Sequence, residues 1–87
     1  MQNYPNPFNP ATTINFQLSD VSAVSLKVFD ILGREIVTLV NEEKPAGTFM
    51  VRWDATGVPS GIYCFQMTAR NKSGQVFTQT RRMTIVK

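Results

Sequence analysis

Apolar and polar residues alternate strictly over residues 12–18: Ile14, Phe16 and Leu18 fall on one side, and Thr13, Asn15 and Gln17 on the other. A period of two is that of a half-buried β-strand, because successive side chains point to opposite faces of the sheet. The pattern recurs over 23–29, where Val24, Leu26 and Val28 alternate with Ser25 and Lys27, and over 49–53, where Phe49, Val51 and Trp53 alternate with Met50 and Arg52. Residues 35–40 are apolar on both faces through Ile36, Val37, Leu39 and Val40, and 62–69 is rich in β-formers. The last run, 76–86, changes phase: Val76, Thr78 and Thr80 fit one register, Met83 and Ile85 the other, which predicts a β-bulge near Arg81 or Arg82. No stretch carries a helical period.

Turn signals separate these runs. Asp30-Ile31-Leu32-Gly33-Arg34 is a tight connection in which Gly33 supplies a positive φ. Residues 41–47 read as a polar loop punctuated by Pro45 and Gly47, 55–61 as a second Gly/Pro loop, and 70–74 as a polar turn. Ahead of the first strand, Pro5, Pro7 and Pro10 each fix φ and remove an N–H donor, so the lead-in is extended and stiff. Short strands at this spacing, without helices, predict an all-β fold: an immunoglobulin-like antiparallel β-sandwich of about seven strands. Residues 1–10 are read as a proline-rich lead-in from an absent upstream protein, and 11–87 as the sandwich. Met1 is read as an initiator added to an excised fragment.

Composition narrows the function more by exclusion than by assignment. The 87 residues suffice for one core, and a domain of this size buries about 60–65% of its unfolded surface. No apolar run approaches the roughly 20 residues of a membrane span, so no membrane insertion is expected. Histidine is absent and Cys64 is the single cysteine, which excludes an internal disulfide and removes the usual general base. Cys64 lies in an apolar strand with no basic neighbour, the setting of a packed or half-exposed thiol and not a reactive one. The six carboxylates (Asp20, Asp30, Glu35, Glu42, Glu43 and Asp54) fall at predicted turns and loops. Glu42 and Glu43 are adjacent and point to opposite faces of any strand, so they cannot share a substrate. No catalytic, cofactor-binding or metal-binding set assembles; no enzyme and no cofactor are expected.

Trp53 alternates in phase with Phe49 and Val51, and Tyr63, Phe65 and Met67 share a face, which places these side chains in the core and not on a sugar-binding platform. Charge is uneven: no acid follows Asp54, whereas Arg70, Lys72, Arg81, Arg82 and Lys87 supply five of the nine cations. Without interleaved aromatics this is no nucleic-acid surface; it reads as a solvated strand edge, where Lys and Arg discourage edge-to-edge pairing, or as a docking strip for a protein. Gly61-Ile62-Tyr63-Cys64 carries the tyrosine directly before the cysteine, unlike the Tyr-x-Cys of antibody domains, which leaves Tyr63 as a corner residue of a sandwich.

The ordered motifs resemble a known family. Tyr4-Pro5-Asn6-Pro7-Phe8-Asn9-Pro10-Ala11-Thr12-Thr13-Ile14 is similar to the opening signature of the type A C-terminal sorting domain of the type IX secretion system of Bacteroidetes and related phyla. Val24-Ser25-Leu26-Lys27-Val28-Phe29-Asp30 with Leu32-Gly33-Arg34-Glu35, then Pro45-Ala46-Gly47, Trp53-Asp54 and Pro59-Ser60-Gly61-Ile62-Tyr63, continue the likeness in order. Arg82-Met83-Thr84-Ile85-Val86-Lys87 resembles its basic–apolar–basic ending. Cys64 departs from the family, which more often has an aromatic residue there. The resemblance implies a seven-stranded immunoglobulin-like sandwich at the carboxyl end of a cargo protein. It would act as a non-catalytic address, read by the outer-membrane translocon after transit through the periplasm. A sortase-like peptidase would remove it, and the cargo would be released or attached to the cell surface.

Within that reading, recognition is assigned to the final strand, through Arg81, Arg82, Met83, Ile85 and Lys87, captured by β-augmentation with charge guiding approach. Pro5, Pro7, Gly33, Arg34, Gly61 and Tyr63 are read as architectural, and the domain as a monomer. Two other classes stay open: an adhesion or carbohydrate-binding module of a surface enzyme, and a structural module, since the fold also resembles the immunoglobulin-like part of flagellar hook-capping proteins.

Overall fold

The computed structural model describes residues 2–4 and 11–86. It contains strands β1 (Gln2–Tyr4), β2 (Ala11–Leu18), β3 (Ser22–Asp30), β4 (Glu35–Lys44), β5 (Gly47–Asp54), β6 (Gly61–Asn71) and β7 (Val76–Ile85), and no helix among the described residues. They form two antiparallel sheets, one of three strands in the order β1-β2-β5 and one of four in the order β4-β3-β6-β7. The all-β sandwich follows from the alternation: inward positions of β2, β3 and β6 are buried one after another, from Ile14, Phe16 and Leu18 to Val24, Leu26 and Val28 and to Tyr63, Phe65, Met67 and Ala69. Trp53 joins them at 6% exposure, and Phe49 stacks on Phe16 with ring centroids 5.4 Å apart.

Six of the strands are those expected from the sequence; the seventh is β1, inside the segment read as a lead-in. Gln2, Asn3 and Tyr4 pair with Asn15, Ile14 and Thr13 of β2. Pro5, Pro7 and Pro10 lie outside the described residues.

Two expectations are corrected. Residues 41–44 are strand and not loop: Asn41, Glu42, Glu43 and Lys44 pair in turn with Ser25, Val24, Ala23 and Ser22, and only Pro45 and Ala46 connect β4 to β5. An edge strand has one side open to water, so it accepts polar residues that a periodicity reading assigns to loop. The second correction concerns the bulge. The β6–β7 ladder runs in one unbroken register from Gly61↔Ile85 to Arg70↔Val76, whereas register shifts occur in β4, which carries Leu39 and Ile36 as extra residues opposite β3.

The phase change in β7 therefore has another cause. Phe77, Gln79, Arg81, Met83 and Ile85 all share the inward face, opposite Ala69, Met67, Phe65, Tyr63 and Gly61. Met83 and Ile85 are buried while Phe77 is 57% exposed. The β4–β5 connection of two residues holds these strands at one edge of the sandwich, so β1 lies toward the β7 edge. Among the described residues β1 has three, and none of the smaller sheet is paired over the first half of β7.

Candidate recognition face

One end of the larger sheet gathers three of the sequence motifs. The β3–β4 turn is closed by Gly33 N–H donating to the Asp30 carbonyl (3.0 Å) and Asp30 N–H to the Arg34 carbonyl (2.9 Å). Gly33 has φ +83°, a left-handed conformation in which a Cβ is strained. The Asp30 carboxylate folds back over the turn. Its Oδ1 accepts from the N–H groups of Leu32 and Arg34, each at 2.9 Å, and its Oδ2 from Arg34 Nε at 2.8 Å. Arg34, read as architectural, thus latches the turn from the surface.

The Arg34 backbone N–H is the main cause that holds the Asp30 carboxyl below its ordinary value; the Arg34 guanidinium and the Leu32 N–H act in the same sense, and desolvation opposes them. A folded-state value below the unfolded one means that this contribution is present above the unfolded-state pKa of about 4 and is lost as pH falls through the folded value. Asp30→Asn should therefore melt below wild type at neutral pH, with the gap closing under acid conditions. Thermal melts of both proteins across a pH series check it, and a gap that widens on acidification would contradict it.

The turn leaves Ile31 and Leu32 75% and 73% exposed. Beside it, the Tyr63 hydroxyl donates to the Pro59 carbonyl at 2.7 Å, four residues upstream, which is the hydrogen bond of a tyrosine corner. It fixes the loop that brings the chain into β6. Gly61 opens β6, where a Cβ would touch the Tyr63 ring at an ordinary 3.7 Å. Tyr63→Phe should cost about 1 kcal/mol, the net value of one hydrogen bond, and lower the urea midpoint with an unchanged slope. An unchanged midpoint would show that the corner adds no stability.

Register then sets Phe29, Cys64 and Arg82 in one row across β3, β6 and β7. Together with Asp30, Ile31, Gly33 and Ile62 they line an open depression of about 440 Å³. Cys64 is half-buried in this outer face and forms no disulfide. The residues assigned to recognition divide. Arg81 and Arg82 are exposed on opposite faces of β7, Met83 and Ile85 are core at 0% and 1% exposure, and Lys87 lies outside the described residues. The apolar group Phe29, Ile31 and Ile62 beside Arg82 was not anticipated; its one sequence signal is the apolar pair Ile31-Leu32 set within a turn.

The charges do not form a single strip. Arg70 and Lys72 sit at the β6–β7 turn, whereas Arg82 pairs opposite Cys64, six residues along β7 from Val76 or about 20 Å at strand rise. Ion pairs gather on the other hairpin: Lys27–Glu35 at 3.2 Å, Arg34–Asp30 at 2.8 Å and Lys44–Glu42 at 2.9 Å. These three take up acids on β3 and β4 and leave the β6–β7 hairpin positive. No cluster of three or more His, Cys, Asp or Glu side chains occurs among the described residues.

The fold and this face define a small sandwich that presents a basic strand edge and an apolar turn. Residues 2–80 match the family model described as a secretion system C-terminal sorting domain, and the chain belongs to that family. It is a type IX secretion C-terminal sorting signal, of a family that is non-catalytic and that is exported as part of a parent cargo protein. No curated protein matches the chain. Among solved structures, CopC from Methylosinus trichosporium OB3b is similar with a TM-score of 0.59 at 12% identity, over 92% of this chain and 78% of that one, a likeness of fold alone.

Proposed function

We propose that the domain is the part of a cargo protein that the outer-membrane translocon reads, after passage through the periplasm, and that a sortase-like peptidase then removes it as the cargo is attached to the surface or released. The edge of β7 carries this reading. Of the four sheet edges among the described residues, β1 has three residues, β4 is bulged twice and β5 has eight residues; β7 is ten residues long, paired in unbroken register with β6 on one side and with no described strand on the other. A regular open edge offers backbone donors and acceptors to an incoming strand, and Arg81 and Arg82 add a charge that guides approach.

Deleting residues 82–87 is a poor test, because it takes Met83 and Ile85 out of the core. The double substitution Arg81→Glu and Arg82→Glu keeps the core and reverses the edge charge. We expect cargo export to fall about tenfold or more, corresponding to roughly 1.4 kcal/mol of lost recognition, with folded protein accumulating in the periplasm. Export at the wild-type level would overturn the reading of this edge.

A further inference from the structure

The outer face of the larger sheet changes character partway along. Register stacks its outward side chains in rows across β3, β6 and β7. Ser25, Thr68 and Thr78 form one row, and Lys27, Gln66 and Thr80 the next; both are polar. These rows find partners within the domain: Gln66 Nε2 donates to Thr80 Oγ1 at 3.3 Å, and Lys27 holds Glu35 at 3.2 Å. The following row is Phe29, Cys64 and Arg82, and the face turns apolar there. Apolar surface residues scattered singly need no explanation, but Phe29, Ile31 and Ile62 share one open depression of about 440 Å³ with Arg82 in its wall. The charge of this place is one-sided. Arg82 is exposed and takes part in none of the three ion pairs. The acids at this end of the sheet are engaged: Asp30 with the turn amides and Arg34, and Glu35, opposite Phe29, with Lys27.

We propose that this depression is a docking site for an apolar–acidic peptide segment of the translocon, which seats an apolar side chain on Phe29, Ile62 and Cys64 and pairs a neighbouring carboxylate with Arg82. The occupant follows from charge complementarity. An unpaired guanidinium presents a planar fork of donors that a carboxylate meets with two parallel hydrogen bonds. Aromatic and arginine side chains together are also what protein interfaces concentrate at their anchoring points. Cys64 shapes the site by being small: it lies between Phe29 and Arg82 in the row, so the floor is low where the apolar side chain sits. The site uses Arg82 and not Arg81, because the two point to opposite faces of β7, whereas capture of the strand edge draws on both charges. The inference rests on the reading under which a translocon binds this domain, and it adds a contact on the sheet face beside the β7 edge.

Amide NMR of the isotope-labelled chain tests it, by titration with capped tetrapeptides that join Leu or Phe to Asp or Glu. The amides of Phe29, Ile62, Cys64 and Arg82 should shift, and Arg82→Gln should weaken binding about tenfold, the worth of a hydrogen bond to a charged group. Peptides with Asn or Gln in place of the acid should lose as much. Cys64→Phe fills the floor and should abolish binding while amide peaks elsewhere keep their positions; Arg81→Gln should leave affinity unchanged. Equal affinity for wild type and Arg82→Gln, equal loss at Arg81→Gln, or no shift at these four amides would overturn the site. So would vesicles of anionic phospholipid that shift the same amides and displace the peptides, because a lipid would then be the occupant. Export is scored separately. Wild-type export of a Cys64→Phe protein that no longer binds the peptides would overturn the translocon as the partner and leave the β7 reading intact.

Discussion

Phe65→Ala is expected to remove about 3–5 kcal/mol of folding stability, more than any other single truncation in the chain. Phe65 is the largest side chain that is fully buried, in the middle of β6, a strand flanked by β3 and β7. Its ladder neighbours are Val28 on one side and Arg81 on the other. Nothing on the rigid ladder can move in to fill the space of a lost ring, so the transfer cost and the cavity cost add. At a typical 0.05–0.15 kcal/mol per residue, a domain of this length has about 4–13 kcal/mol in all. At the low end of that range the substitution takes the protein to the edge of unfolding. Urea denaturation followed by the fluorescence of buried Trp53 measures it. A shift equivalent to less than about 1 kcal/mol would show that β6 is not the centre of the core.

Met83→Ala should cost about 2–5 kcal/mol, while alanine at Arg81 or Arg82 should change stability by no more than about 0.5 kcal/mol. The three residues are consecutive, and only their exposure separates them: Met83 is at 0%, packed in the ladder opposite Tyr63, and both arginines face water. This contrast decides what the basic–apolar–basic ending does. If Met83 acts through packing, Met83→Leu restores both stability and export, because a volume-conserving swap costs less than about 1.5 kcal/mol. Loss of export at Arg81 and Arg82 should come with an unchanged melting temperature. A Met83→Ala protein that melts like wild type but is not exported would return Met83 to the recognition surface.

The strands with one wet face and one dry face were legible because alternation records that contrast directly: 12–18, 23–29, 49–53 and 62–69 all lie within observed strands. Tyr63 was legible as a corner residue through the likeness of Tyr63-Cys64 to the Tyr-x-Cys of sandwich domains, and its hydroxyl reaches the Pro59 carbonyl four residues upstream. What alternation could not show is a neighbour's absence. Phe77 and Arg81 are exposed on the inward face of β7, which on paper looks like a slipped register. β1 has no apolar alternation in Gln2-Asn3-Tyr4, and its pairing with β2 is visible only in three dimensions. The polar end of β4 failed for the related reason that an edge strand needs no inward apolar residue at every second position. In the candidate face, Arg82 was marked by charge. Its apolar companions Phe29 and Ile62 come from other strands and meet it only through the ladder.

The order of the strands has a consequence for synthesis. β7 is made after the other six, and it brings Met83 and Ile85 into the core and covers the open side of β6. Until those ten residues leave the ribosome, β6 is an edge with an unpaired ladder, and the apolar layer is incomplete. Domains generally fold as units during synthesis, at roughly 5–20 residues per second. Here the unit closes only at the last strand, so a nascent or truncated chain cannot display the finished edge. A chain cut within β7 leaves β6 as an edge and takes Met83 and Ile85 out of the core, so the recognition edge exists only where the sandwich is whole.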